Sequence, residues 1–385
     1  MRKMRKDIVV VGAGYTGMMC AVRIAHRTRR DGDVTVTLVN PSDRFVERLR
    51  THQTAAGQEL TVHRIPDLLD GSGVVFRQGS VTAVDPEERR VTLADLGVLK
   101  YDTLVLALGS RADTSLVPGA EEYAFTLDEP RRLAARLAES GVAAVTVCGG
   151  GLTGVEAAAE IAESHPELKV TLVSRGEPAS MTGDRARAYL ATVFERLGVS
   201  VRSGEAVAKV LLDGVELADG SVVPSDVTLW TTGVRVPAVA AAAGITTDEN
   251  GRVVVDAQLR SVSHPDVFAI GDAAAARQAW GPIHGTCQSG IPTATHAADN
   301  IARLLRGRTP KPFRFGYFHQ PLSLGRKDGL IQFVRKDDTP RRFILTGRLA
   351  ARYKETVSSS PIPVFRISRR VNVYPYLSKG GRATR

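Results

Sequence analysis

The sequence predicts an α/β fold in which one strand–turn–helix–strand unit occurs twice and a smaller basic domain follows. Three observations carry this reading. DIVVVGAGYTGMMCAVRIA followed by DVTVTLVN is echoed by VTVCGGGLTGVEAAAEIA followed by KVTLVSR. The strands that head the two copies, Ile8 to Val11 and Ala144 to Cys148, are short unbroken apolar runs, as parallel strands buried on both faces require. Each run breaks into a Gly-x-Gly-x-x-Gly turn. With 385 residues, 43% hydrophobic and 24% charged, the chain is also too long for one core, so several domains are expected.

The elements follow in order. The first unit enters a helix expected from about Gly17 to His26, and the second a helix from about Gly154 to Ala162. Between them, VTAVDPEERRVTLADLGVLKYDTLVLALGS alternates as antiparallel strands do and closes in a buried strand, and VPGAEEYAFT holds a Pro-Gly turn that reads as a domain crossing. DGVELADGSVVPSDVTLWTTGVRVP repeats that pattern after the second unit. HPDVFAIGDAAA comes next, then a loop holding Cys287, a helix from Pro292 to Leu305, and a more β-like basic tail. The expected boundaries are 1–117 and 237–303 for a first domain in two parts, 118–236 for a second domain inserted into it, and 304–385 for the C-terminal domain.

Composition narrows the function classes. No apolar run approaches the roughly 18 residues of a membrane-spanning helix. The start, MRKMRKDIVVVGAG, has the basic tip of a signal peptide, but its apolar stretch runs straight into the glycine turn, so cytoplasmic residence is expected. Cys20, Cys148 and Cys287 share no short spacing, which argues against a disulfide framework and a zinc site; no metal is expected. The net charge of +10 is unevenly placed: from Arg303 onward 20 Lys and Arg face 4 Asp and Glu, while the first 302 residues carry 31 against 37. Such a tail is either a solvated basic surface or one drawn to an anionic membrane face or acidic partner. It holds no nucleic-acid module, so nucleic acid is not an expected partner.

The glycine turns carry the chemistry. In Gly12-Ala13-Gly14-Tyr15-Thr16-Gly17 the first glycine permits the tight turn, the second lets a pyrophosphate approach the backbone, and the third lets helix and strand pack closely. The pyrophosphate then sits on a helix N-terminus, where free amides and the dipole favour negative charge. Gly149, Gly151, Leu152, Thr153 and Gly154 repeat the arrangement. A ribose-binding residue is expected at the end of each second strand. It is Asn40 in the first copy, able to hydrogen-bond a diol, and Ser174 followed by Arg175 in the second. A carboxylate there selects NAD, whereas a hydroxyl beside a guanidinium suits the 2′-phosphate of NADPH. The alternative is that Ser174 alone bonds the ribose and Arg175 faces solvent.

The ordered set GAGYTG, LVLALG, GGGLTGVEAAAE, DVTLWTTGVRVP and DVFAIGDAA resembles the two-dinucleotide-binding-domain flavoproteins of the pyridine nucleotide-disulfide oxidoreductase superfamily, across nearly the whole chain. WTTGV and SLGRKDGLIQF look most like its type II NADH dehydrogenase branch and soluble relatives. The resemblance implies two Rossmann-like domains of the glutathione reductase kind plus a C-terminal α+β domain that covers the flavin. It implies FAD in the first domain and NADPH or NADH in the second. It also implies a flavin site that includes Val81, Ala107, Gly109, Gly271 and Asp272, with the helix at Pro292, Thr293 and Ala294 aiming its N-terminus at the flavin. Thr232 and Gly233 would join the nucleotide side. Glu156 matches a position near the nicotinamide or flavin edge, where a carboxylate can orient the carboxamide or pass a proton to the acceptor. The alternative is a helix-start carboxylate favoured by the dipole.

Departures from the family are equally informative. NPSDRFVERLRTHQTAAG lacks the cysteine pair of disulfide reductases, so a thiol relay is excluded. Arg48 and His52 stand there instead, as candidates to contact the flavin or an acceptor. Thr295 occupies the usual Gln of quinone-reducing relatives, and their membrane-binding C-terminal helices are not expected here. The expected activity is hydride transfer from NAD(P)H to flavin and on to a quinone or quinone-like small molecule. A biosynthetic flavoenzyme and a redox sensor with little turnover are the alternatives. RRFILTGRLAARYKE is either a basic amphipathic piece able to lie on anionic lipid or part of a small core. Oligomeric state is not encoded legibly.

Overall fold

The computed structural model describes residues 5–371 and 373. Lys6–Val11 lies at the centre of a five-stranded parallel sheet ordered Val267–Ala269, Thr103–Leu106, Lys6–Val11, Val34–Asn40, Val74–Gln78. Ala144–Cys148 takes the same place in a second parallel sheet ordered Ala124–Phe125, Val227–Trp230, Ala144–Cys148, Lys169–Ser174, Ser200–Ser203. Ile8 to Val11 and Val145 to Cys148 are buried without exception, so even Thr146, the one polar residue of the two runs, is shut from solvent. Each parallel sheet is accompanied by a three-stranded antiparallel one: Val81–Asp85, Arg90–Leu93 and Val98–Lys100 in the first case, Val207–Leu211, Gly214–Leu217 and Val222–Pro224 in the second. The chain passes between the two parts through paired short strands, Arg111–Ala112 and Val234–Arg235, clasped by the Trp230 indole donating to the Asp113 carbonyl at 2.9 Å.

The helices begin earlier than their apolar pattern suggests. They span Tyr15–Thr28 and Leu152–Ser164, starting directly after the second glycine of each turn. Tyr15–Thr28 packs against Cys287–Leu304, so the first sheet is sealed by helices from opposite ends of the chain.

The helix expected to start at Pro292 starts instead at Cys287. Thr286 caps it reciprocally with Ser289, and Pro292, Thr293 and Ala294 lie a turn inside it, all buried. A capping signal at Thr286 outweighs the proline, which lies inside the helix and leaves the Gln288 carbonyl without its intrahelical N–H donor. Cys287 is therefore a helix residue, not a loop residue.

The C-terminal region departs from the β-like tail. His319–Ser323, Gly329–Val334 and Pro340–Thr346 form an antiparallel sheet, and two helices follow, Gly347–Ser359 and Pro361–Ser368. RRFILTGRLAARYKE is divided between the last strand and the first of these helices, with Gly347 at φ +71° making the break. The chain thus does carry C-terminal helices. Leu322, Leu324 and Leu330 join the core of the second parallel sheet, while Ile362 and Phe365 join the core of the first. The region bridges both, burying side chains worth roughly 2 kcal/mol each. Among the described residues, no helix is long and apolar enough to cross a membrane, and no His, Cys, Asp and Glu cluster is arranged to hold a metal ion.

Candidate functional site

The two glycine turns have the same mechanics. A Cβ on Gly12 would meet the Ala107 carbonyl oxygen at 2.3 Å, and one on Gly17 would meet the Gly12 carbonyl oxygen at 1.7 Å. A Cβ on Gly154 would meet the Gly149 carbonyl oxygen at 1.9 Å, and Thr231 crowds Gly149. Gly14 and Gly151 differ: a Cβ there would meet nothing within 4 Å. The middle glycine of each turn thus borders open space, while its neighbours are locked by packing. Gly14 and Gly151 are also the N-caps of their helices, with no side-chain cap and no acidic residue in the first turn. Two uncapped, positively polarised helix ends beside open space suit the pyrophosphate of a dinucleotide.

Around the first turn, Ala13 is buried and donates its backbone N–H to the Asn40 carboxamide oxygen at 3.0 Å, while the Asn40 amide donates to the Ser42 carbonyl at 2.8 Å. Asn40 therefore braces the turn through its own backbone contacts. Tyr15 is buried edge-on against Phe45, and Thr16 packs under Gly271. Gly109 and Gly271 have φ of +65° and +63°, a conformation that favours glycine. Asp272 accepts from the Ser110 hydroxyl at 2.7 Å, and Arg48 donates to the Ser110 carbonyl at 2.6 Å while pairing with Asp128. Thr293 accepts the Gly271 N–H at 2.9 Å. Gly271, Asp272 and Thr293 line one cavity with Ser110, His284 and Ser289. Pro292 and Ala294 do not line it, and Val81 packs at the edge of the first core.

Around the second turn, Leu152 and Thr153 open the helix, and Ser174 is buried with its side chain against Gly150. Arg175 is exposed and makes no ion pair among those of the described residues. Gly233 has φ +71° and abuts Leu116, with Thr232 beside it at the end of the sheet.

Glu156 lies in the second turn of its helix, since the helix begins at Leu152. The first-turn dipole does not account for it. Its Oε1 accepts from the Ser323 backbone N–H at 2.9 Å and pairs with Lys354 Nζ at 2.9 Å. Burial works to raise this carboxyl, but the Lys354 ammonium and the Ser323 N–H carry it below the ordinary carboxylate range. One turn on, Glu160 is fully buried and takes a forked pair from Arg326 at 2.9 and 3.0 Å, with Gln58 as a further donor. Burial pushes Glu160 up, and Arg326 opposes it. His52 stands beside both: it is 3% exposed, its Nε2 is 3.8 Å from Glu160 Oε2 and has no hydrogen-bond partner, and burial pushes its ring down to about 4.

Sequence reasoning identified Glu156 and placed His52 in the neighbourhood, but missed Lys354, Arg326 and Ser323. Their only signal was SLGRKDG, read as a family mark and not as the source of Glu160's partner. Lys354 was visible only as one cation among many.

The family model described as pyridine nucleotide-disulphide oxidoreductase matches residues 6–300. Similar proteins include an NADH dehydrogenase-like protein of Mycobacterium tuberculosis, 29% identical over 92% of this chain and 94% of that one. Another is a demethylphylloquinone reductase of Synechocystis, 28% identical over 85% and 86%. Among solved structures, the sulfide:quinone oxidoreductase of Aquifex aeolicus superposes with a TM-score of 0.81 at 19% identity, covering 94% and 92%. An engineered water-forming NADPH oxidase bound to NADPH reaches 0.71 at 20%, covering 85% and 75%; its substitutions include an Asp changed to Ala with the next residue changed from Ala to Arg. With its two open glycine turns and a match over most of its length, the chain belongs to the pyridine nucleotide-disulphide oxidoreductase family of flavin- and nicotinamide-dependent oxidoreductases.

Proposed function

We propose that this protein is an FAD-dependent NAD(P)H oxidoreductase that reduces a quinone or quinone-like small molecule. The observation that carries this is the pair of open, uncapped glycine turns, one per parallel sheet, with Glu156 on the helix of the second paired to Lys354. Names of similar proteins, a demethylphylloquinone reductase and a sulfide:quinone oxidoreductase among them, support a quinone as acceptor. Bound flavin would supply the two-electron chemistry, taking a hydride from the nicotinamide and passing the reducing equivalents on.

The chain's own residues position and protonate. The helix N-termini at Gly14 and Gly151 would hold the two pyrophosphates, and Asp272, which accepts from the Ser110 hydroxyl, would bind the polar middle of FAD. Glu156 supplies a proton to the reduced acceptor, and Lys354 orients its carboxylate. Arg175, exposed beside buried Ser174, holds the 2′-phosphate of NADPH. An Arg directly after a removed acid, as in the engineered NADPH oxidase, supports that preference. Phe343 and Leu349, 64% and 65% exposed among Arg341, Arg342, Arg348 and Arg352, favour contact with an anionic membrane face.

Anaerobic rapid mixing of the yellow protein with NADH and NADPH, then with menadione, tests the reading. Flavin bleaching by NADPH and fast reoxidation by menadione are expected. Bleaching that leads only to a long-lived charge-transfer species, indifferent to menadione, overturns it. Glu156→Gln should slow the reoxidation roughly 100-fold and spare the bleaching.

A further inference from the structure

The exchange of NAD(P)H and quinone for NAD(P)⁺ and quinol consumes one proton beyond the hydride, and that proton comes from solvent. The Glu156 side chain is partly exposed, and its Oε1 is engaged by the Ser323 N–H and the Lys354 ammonium. Beside the chain neighbour of His52, Gln53, lies a solvent crevice also lined by Gln58, Arg326, Glu355, Arg348 and Arg352. Gln58 and Arg326 are the two residues that hold buried Glu160. Glu156 and Glu160 are four residues apart, hence on one face of their helix, and His52 from the 51–55 helix is packed against that face.

A buried imidazole nitrogen with no partner is costly, and an unpaired donor or acceptor of this kind calls for an explanation. We propose that His52 is a proton relay: it takes a proton at Nε2 from Glu160 and delivers it to Glu156, from which the acceptor receives it. This rests on the reading of Glu156 given above. Each transfer conserves charge. Protonated Glu160 and neutral His52 become carboxylate and imidazolium; imidazolium and the Glu156 carboxylate then become neutral ring and protonated Glu156. Crevice water reprotonates Glu160. Arg326 suits the exchange because it is shared: it grips Glu160 when that group is ionised and keeps Glu355, 2.9 Å away, when it is not.

Charges facing His52 come from every element around it. Glu156 and Glu160 lie on the nucleotide-domain helix, Arg326 on the C-terminal hairpin, and Lys354 and Glu355 on the helix that follows. Burial, Lys354 and Arg326 favour the neutral ring, while Glu156 and Glu355 favour the imidazolium, so the charged form is transient.

The test uses full-length holoprotein with menadione as acceptor. His52→Ala should keep flavin bleaching by NADPH within about twofold, slow reoxidation by menadione at least about 10-fold, and recover in proportion to added imidazole. The wild-type solvent deuterium effect on reoxidation should rise in the variant and fall back with imidazole. Independently of turnover, Glu160→Gln should shift the ¹⁵N resonance of the His52 ring in the oxidised protein. A folded His52→Ala protein with unaltered reoxidation rate, isotope effect and pH profile overturns the relay, as does a His52 resonance indifferent to Glu160→Gln. If Glu156→Gln slows reoxidation while His52→Ala does not, the relay falls and the role of Glu156 stands. If reoxidation is indifferent to both, the role of Glu156 falls and takes the relay with it.

Discussion

The two glycine-turn helices start alike and end in opposite surroundings. Tyr15–Thr28 carries a cation inward: Arg23, 2% exposed, forks onto Asp299 at 2.8 and 2.9 Å and reaches the Val373 carbonyl at 2.7 Å. Leu152–Ser164 carries anions inward, Glu156 and Glu160, answered by Lys354 and Arg326 from the C-terminal region. In the first helix the buried charge is matched within a sealed core and serves to hold. In the second, Arg326 is shared with Glu355, a crevice reaches Arg326, and His52 is left with an unsatisfied nitrogen. Identical local motifs thus acquire different charged surroundings according to what packs on the next two turns.

The sharpest contrast to break is within each turn. Gly17→Ala and Gly154→Ala place a Cβ inside 2 Å of a carbonyl oxygen, and each should cost roughly 3 kcal/mol or more, read as loss of soluble folded protein or a large fall in Tm. Gly14→Ala and Gly151→Ala, facing open space, should keep the fold and instead reduce flavin content and NADPH affinity respectively. Equal destabilisation by all four would contradict the division of roles.

Next is the difference between the inward charges. Asp299→Ala removes the forked carboxylate from a buried guanidinium and should lower stability by about 3 kcal/mol. Glu160→Gln leaves Arg326 its partner Glu355 and should cost less than half as much, measured by urea unfolding of both variants side by side.

Acid probes the same cluster. Burial pushes His52 and His319 down to about 4, against an ordinary value of 6.5. The unfolded chain therefore binds more protons between those values, so stability is complete above about pH 6.5 and falls as pH drops toward 4, by roughly 1.4 kcal/mol per pH unit for each ring. His319→Gln should shallow that decline, visible as a smaller loss of Tm between pH 7 and about 5. The smallest effect belongs to the exposed end of the second unit. Arg175→Ala should raise KM for NADPH about 10-fold, near 1.4 kcal/mol, and leave KM for NADH unchanged. A preference for NADH in the unaltered protein would sink that assignment.

Much of this was legible in the residues because it is local. Apolar runs at 8–11 and 144–148 dictate doubly covered parallel strands. Glycine spacing dictates the turns, and a repeat of both dictates two like units. Thr286 is equally local and is overshadowed by Pro292, so the Cys287–Leu304 helix is expected five residues late. Charge at the ribose positions was read from single residues, and Asn40 shows the limit of that: its carboxamide is spent on Ala13 and Ser42.

What no periodicity reveals is which distant side chain answers a buried charge. Glu156 and Lys354 are separated by almost 200 positions, His52 and Glu160 by more than 100, and their pairing is set by a C-terminal sheet that spans both parallel-sheet domains. By itself the sequence determined the two dinucleotide cradles, since the backbone geometry of a glycine turn depends on its immediate neighbours. Only the tertiary structure decided where the protonatable groups meet, because burial and electrostatic partnership depend on elements brought together from three parts of the chain.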